Sequence, residues 1–269
     1  MTRRRSMETM NIVVLIKQVP DTWSERKLTD TDHTLDRDAA DAVIDEINER
    51  AVEEALLLKE AHGGKVTVVS MGPDRATDAI RKALSMGADE AVHISDAALH
   101  GSDTIQTAKV LASAIRTIEG VDLVVAGNEA TDGRAGAIPA MLAELLGLPQ
   151  LTHARRVEVE GTEVRVERET EDGITHLAAE LPAVVSVSEK INEPRYPSFK
   201  GIMAAKKKPV TTLGLGDLGI DPSEVGLAAA FTSVVESAPK PPRGAGERVE
   251  DQGDGGVRIV EYLAAQKLV

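Results

Sequence analysis

The stretch best equipped for chemistry is Gly127-Asn-Glu-Ala-Thr-Asp-Gly-Arg-Ala-Gly136. It follows a short apolar run and precedes a helical pattern, which is where doubly wound sheets receive their ligands. Glycine lets the main chain come close to a phosphate, and a helix start offers unpaired N–H groups at the positive end of its dipole. The spacing is not G-x-G-x-x-G, so this is no standard dinucleotide fingerprint, and an ordinary glycine-rich loop fits it equally. Gly72-Pro73 and Lys17–Asp21 follow two other strand patterns, and together the three loops would wall a nucleotide pocket. Met71 and the main chain at Leu15 are candidate walls for an adenine ring, or else core.

Signatures of bond-making chemistry are missing. There is no Walker lysine loop and no G-x-S-x-G, and the histidines at 33, 62, 93, 100, 153 and 176 show no H-x-x-x-H spacing. His93 and His176 fall in strand patterns and read as structural histidines; no metal site is expected.

Short Val- and Ile-rich runs at Ile12–Ile16, Val66–Val69, Ala91–Ile94 and Leu123–Ala126 have the character of parallel strands covered on both faces. Between them lie helical stripes. Val43, Ile47, Ala51, Ala55 and Leu58 share one, stopped by Gly63-Gly64; Ala76, Ile80, Ala83 and Leu84 share the next, opened by Pro73-Asp74 and closed by Gly87. Ser102 or Asp103 caps a third, with Ile105, Ala108, Ala112 and Ile115 inward, and a fourth follows Asp132-Gly133 as far as Gly147-Leu148-Pro149. Alternating strand and helix predicts an α/β fold with a doubly wound, mostly parallel sheet.

After Pro149 the period changes to two. Val157–Val159 and Val164–Arg168 flank Glu160-Gly161 as an antiparallel hairpin addition, followed by His176–Leu181 and the buried run Ala183–Val187. Residues 189–209 read as loop, ending in the solvated lysines Lys206–Lys208, which could also steer acidic partners. From Pro239 the chain is rich in Pro and Gly, and closes with one helical segment at Val257–Leu268, so 239–269 is expected to be an extended C-terminal arm on an α/β domain of residues 11–238. The first ten residues are expected to be a disordered tail or to precede the true start, with Met10 as an alternative initiator.

Composition narrows the function. Acidic residues number 44 against 31 basic, a net charge of −13, and aromatics are only 2%, which argues against nucleic acid as a partner. The absence of cysteine rules out disulfides, Fe–S clusters and thiol catalysis and fits a reducing cytosol. No apolar run reaches the ~18 residues of a membrane span, so a cytoplasmic protein without membrane insertion is expected.

Several segments resemble the β subunit of electron-transfer flavoproteins: Ile16-Lys-Gln-Val-Pro-Asp21, Ala51-Val-Glu-Glu-Ala-Leu56, Ala83-Leu-Ser-Met-Gly-Ala-Asp89 and Leu142-Ala-Glu-Leu-Leu-Gly-Leu-Pro149. More specific is the run from Val166-Glu-Arg-Glu169 through Asp172-Gly173 to Leu181-Pro-Ala-Val-Val185, similar to that family's signature. Asn192-Glu-Pro-Arg-Tyr196 with Ile202-Met-Ala-Ala-Lys-Lys-Lys208 is similar to its partner-recognition segment. The likeness runs from Asn11 to Asp221.

The resemblance implies the non-catalytic half of an electron carrier. Such a β subunit forms a heterodimer with an α subunit that holds most of the FAD, buries a structural AMP and takes electrons from acyl-CoA and other flavin dehydrogenases towards a membrane quinone oxidoreductase. Carried over by position, the AMP contacts fall on Leu15, Asp45, Asn48 and Met71. They continue along Gly127, Asn128, Glu129, Ala130, Thr131, Asp132, Gly133, Arg134, Ala135, Gly136, Ala137 and Ile138. Partner recognition falls on Asn192, Glu193, Pro194, Arg195, Tyr196, Pro197, Ser198, Phe199 and Lys200, and Glu169 matches a carboxylate that pairs with an α-subunit arginine near the flavin. Two departures from the family stand out. Ala135 and Ala137 stand where Thr and Gln are frequent, which leaves the phosphate to backbone N–H groups and Arg134. Phe199 stands where a leucine often plugs a pocket on acyl-CoA dehydrogenases; it is read as an interface anchor, against the rival of a Phe tucked into its own domain. Trp23 reads as a packing or subunit-interface residue rather than a flavin stacker. Two alternatives stay open: a stand-alone adenine-nucleotide sensor or hydrolase, which would have no use for Asn192–Lys208, and a bifurcating form with a second FAD in place of AMP.

Overall fold

A computed structural model describes residues 9–242, 244, 246 and 248–269. Alternation along its first strand, β1 (Met10–Ile16), sets the architecture. Met10, Ile12, Val14 and Ile16 enter one buried cluster while Val13 and Leu15 enter the other. A strand buried on both faces requires a helical layer on each side.

The chain supplies those layers in turn. After a small antiparallel pair, β2 (Gln18–Pro20) and β3 (Ala42–Ile44), come α1 (Glu46–His62), β4 (Gly64–Met71), α2 (Thr77–Met86) and β5 (Glu90–Ile94). Ala51, Val52, Ala55 and Leu56 of α1 and Ile80, Ala83 and Leu84 of α2 cover one face. Then α3 (Thr104–Arg116), β6 (Leu123–Gly127) and α4 (Ile138–Leu146) bring Val110, Leu111, Ala114, Ile115, Leu142 and Ala143 to the other. An antiparallel meander, β7 (Gln150–Glu160), β8 (Glu163–Thr170) and β9 (Gly173–Glu180), precedes β10 (Ala183–Val187), α5 (Phe199–Ala205) and β11 (Val210–Leu213). The large sheet is nine-stranded, in the order β11-β5-β4-β1-β6-β10-β7-β8-β9. Every neighbouring pair from β11 to β7 is parallel. From β1 the chain winds outward to β4 and β5, then returns to the opposite side of β1 as β6. That reversal is the topological switch point at which such sheets bind ligands.

Both faces are filled with aliphatic side chains, and no aromatic enters either cluster. A doubly wound, mostly parallel sheet with an antiparallel addition is therefore the fold the alternation predicted.

Several local expectations are corrected. Val43 lies in β3, paired with Val19, and not on α1, because Asp45 caps that helix through bonds from the N–H groups of Ile47 and Asn48. Ile105 is exposed in the first turn of α3, which Asp103 and Gln106 close as a capping box. The fourth helix starts at Ile138, since Arg134 and Gly136 take left-handed φ values of 49° and 63° that helical backbone does not tolerate. Residues 189–209 contain α5 and lead into β11, neither of which has a long enough apolar repeat to show in the sequence. Lys208 is no solvated lysine: its Nζ donates to the carbonyls of Leu84 (2.9 Å) and Ala88 (2.5 Å) at the end of α2. Met10 is fully buried at the start of β1, Thr9 is exposed, and residues 1–8 of the expected tail lie outside the described residues.

Residues Glu236–Val269 form a second unit. Within it α6 (Gly255–Ala265) leaves Val257, Ile259, Val260 and Tyr262 exposed. No helix among the described residues is long and apolar enough to cross a membrane.

Candidate functional site

The carboxyl ends of β1, β4 and β6 lie side by side: Ile16 pairs in register with Ser70, and Val14 with both Val68 and Val125. Leu15, Met71 and Gly127 therefore share one edge of the sheet. Gly127 has to be glycine there. A Cβ would come within 2.6 Å of Asn48 Nδ2 and 3.0 Å of Ile47 Cγ2, so only a bare main chain lets α1 dock against the end of β6.

Asp45 joins helix and loop. Fully buried, it accepts from Ile47 N–H (3.0 Å) and Asn48 N–H (3.2 Å) through Oδ1 and from Thr131 N–H (2.6 Å) through Oδ2. The first two bonds cap α1; the third ties down the 127–137 loop from 86 residues away in sequence. With its carboxylate engaged by the chain's own amides, Asp45 shapes the site rather than lining it.

A second tie, which the sequence reading did not single out, links Lys17 Nζ to both oxygens of Asp132 at 2.9 and 2.8 Å. Its only signal was that Lys17 follows a strand at the same edge. Arg134 reaches back to Glu129 at 3.1 Å, so both acids of the loop are neutralised beside it. Ala135, Gly136, Ala137 and Ile138 present their amides at the start of α4, and among the described residues these amides have no acceptor. Buried side-chain oxygens without partners lie at the same edge: Ser70 Oγ at the end of β4, and Asn128 Oδ1 and Thr131 Oγ1 after β6. Leaving such an atom unpaired costs about 1–3 kcal/mol, which a polar ligand would recover. The donor set, the oxygens and the apolar Leu15 and Met71 fit a phosphate-bearing heterocycle, with no side chain at 135 or 137 contributing.

Other predicted residues sit elsewhere. Glu169, on β8, meets Lys190 at 3.4 Å and Arg155 at 3.5 Å, and these bonds and charges, Lys190's first, hold its carboxyl below the ordinary range. Of the recognition segment, Asn192 and Arg195 turn inward to α1, whereas Glu193, Tyr196, Ser198, Phe199 and Lys200 are exposed and Pro194 and Pro197 half-buried. Ser198 caps α5 by accepting from Gly201 N–H. Phe199 is thus not tucked into its own domain, and Trp23 is exposed rather than packed among the described residues. His93 is buried, its Nε2 3.0 Å from Gly72 O, while His176 is exposed on β9. Among the described residues no cluster of His, Cys, Asp or Glu is arranged to hold a metal ion.

These features define a doubly wound α/β protein with backbone amides that lack acceptors among the described residues at its switch point, and a separate aromatic surface. Residues 32–218 match the electron transfer flavoprotein domain, and the chain belongs to the electron transfer flavoprotein β-subunit family. It is 65% identical over 264 residues to electron transfer flavoprotein subunit beta of Mycobacterium tuberculosis, covering 96% of this chain and 99% of that protein. The subunit of the same name from Thermoanaerobacterium thermosaccharolyticum is 44% identical over 239 residues, with 88% and 91% covered. The caffeyl-CoA reductase-Etf complex subunit CarD of Acetobacterium woodii is 36% identical over 241 residues, with 89% and 92% covered.

Proposed function

We propose that this chain is the β subunit of a heterodimeric electron carrier of the cytoplasm, completing the FAD site of an α subunit and performing no bond chemistry of its own. Its near end-to-end identity to electron transfer flavoprotein β subunits carries the reading and disfavours a stand-alone sensor or hydrolase. FAD, held mainly by the α subunit, would supply the redox chemistry between acyl-CoA or other flavin dehydrogenases and a membrane quinone oxidoreductase.

The β chain contributes binding and orientation. Leu15 and Met71 would hold the adenine of a structural AMP at the switch-point edge, and the amides of Ala135 to Ile138 would receive its phosphate. The unpartnered oxygens of Ser70, Asn128 and Thr131 would be available to its polar groups. Asp45 and the Lys17–Asp132 pair hold the loop in shape, and Asn48 closes the site from α1. Glu169, anchored by Lys190 and Arg155, is available to an arginine of the α subunit. The exposed Tyr196–Phe199 segment receives dehydrogenases through a small transient interface. The arm from Pro239 onward docks on the α subunit through the apolar side chains of α6.

Co-expression with an α subunit from the same genome, followed by nucleotide release and chromatography, tests this. One FAD and one AMP per heterodimer is the expected result. Two FADs and no AMP would make it the bifurcating form, and no stable complex would refute the proposal.

A further inference from the structure

Residues 189–209 cross the α1/α2 face, fastened on both sides of the exposed aromatic pair. On one side Arg195 forks over two carboxylates of α1. Its Nε and Nη2 donate to Glu53 at 2.8 and 2.9 Å, its Nη1 and Nη2 donate to Glu60 at 2.5 and 3.2 Å, and its backbone N–H adds a bond to Glu53 at 3.0 Å. Asn192 Nδ2 reinforces the mount with bonds of 3.1 Å to Arg50 O and to Glu54. On the other side Gly201 lies so close to α2 that a Cβ would sit 2.4 Å from Ser85 O, and Arg81 donates to Ala205 O at 2.7 Å. Between the mounts Tyr196 and Phe199 are 94% and 80% exposed. Aromatic anchors on a segment already held rigid bind without a further ordering cost.

We infer that Arg195 is the positioning residue of the docking surface: its fork on Glu53 and Glu60 fixes Tyr196 and Phe199 in the conformation that receives a flavin dehydrogenase, while it touches no partner itself. This rests on the proposed docking role of the segment. Only arginine suits the place, because a planar fork spans two carboxylates two helical turns apart whereas lysine's single ammonium does not. Glu53, its side chain 7% exposed, is the fixed point, and the more exposed Glu60 steadies the free edge of the guanidinium.

The test uses the intact heterodimer as electron acceptor for an acyl-CoA dehydrogenase reduced by its acyl-CoA substrate. Arg195→Ala should raise KM for the carrier about tenfold, because the segment must now be ordered on binding. kcat, FAD and AMP content and the flavin spectrum should be unchanged. Glu60→Ala should raise KM about threefold, as an exposed pair allows, and Arg195→Lys should fall between wild type and Arg195→Ala. Phe199→Ala is the control for the docking role. A raised KM in Phe199→Ala with wild-type KM in Arg195→Ala overturns the inference, as does a kcat that falls with FAD content at constant KM. Wild-type KM in both variants removes the docking reading and this inference with it. If Arg195→Ala yields no heterodimer, Glu60→Ala decides: an unchanged KM there overturns the proposal.

Discussion

Replacing Asp45 by asparagine separates two jobs that one carboxylate performs. The side chains are nearly isosteric, but asparagine has one oxygen where aspartate has two. That oxygen can keep accepting from the N–H groups of Ile47 and Asn48, now 3.0 and 3.2 Å away, and asparagine caps helices as well as aspartate does. The NH₂ group must then face the N–H of Thr131, which has an oxygen at 2.6 Å in the native chain. Two donors meet in a fully buried place, and orphaning the Thr131 amide costs about 1–3 kcal/mol. At roughly 2–4 °C per kcal/mol for a chain of this size, the heterodimer should melt about 5 °C lower. The loop released from Asp45 must be re-ordered when nucleotide binds, so AMP should bind about tenfold more weakly. Asp45→Ala, which also loses the cap, should fall about 1 kcal/mol further. Calorimetric melting of the heterodimer and titration of AMP into nucleotide-stripped protein measure both effects. Wild-type melting and AMP affinity in Asp45→Asn would refute the argument; equal losses in the two variants would show that the cap contributes nothing.

Three more outcomes are expected. Removing residues 239–269 should weaken α–β association, and unchanged affinity by sedimentation would remove the arm's proposed role. Burial pushes the Glu54 carboxyl above its ordinary 4.5 against the opposing bond from Asn192, and the Glu53 charge adds to the upward push. The folded chain therefore holds this proton more tightly than the unfolded one, so the group's contribution is full below pH 4.5 and declines as pH rises through the raised folded value. Glu54→Gln, which keeps an oxygen for Asn192, should be more stable at neutral pH and flatten that decline in denaturant titrations; an equally steep profile would contradict it. Gly201→Ala should lower stability by about 1–3 kcal/mol through overpacking and speed hydrogen exchange in α5, and native exchange there would refute the tight helix contact.

Periodicity carried most of the fold because the strands of a doubly wound sheet are buried on both faces and appear as plain apolar runs. Elements that failed to show had other supports. β11 has four residues and partly exposed side chains, and α5 is a short helix defined by a serine cap and a glycine contact with α2. Lys206–Lys208 looked uniformly solvated because a carbonyl-capping lysine differs from its neighbours only in what the fold places beneath it. At the switch point the glycines and the following helix were legible, being local. The Asp45–Thr131 bond and the Lys17–Asp132 pair were not, since each joins residues far apart in sequence. Phe199 as an exposed residue followed from its polar neighbours, whereas Arg195 and Asn192 gave no sign that they face inward, because a charged or amide side chain in a loop has no period to read.

The aliphatic interior has a spectroscopic consequence. Trp23, Tyr196, Phe199, Phe231 and Tyr262 are the chain's entire aromatic complement, and all are exposed. Near-ultraviolet absorption, circular dichroism and fluorescence of this chain thus carry almost no information about its core. Losing the native packing would scarcely move the emission of an indole already in water. A molecule that covers one of these rings changes the signal at once, so in this protein the usual optical probes of folding serve as probes of contact.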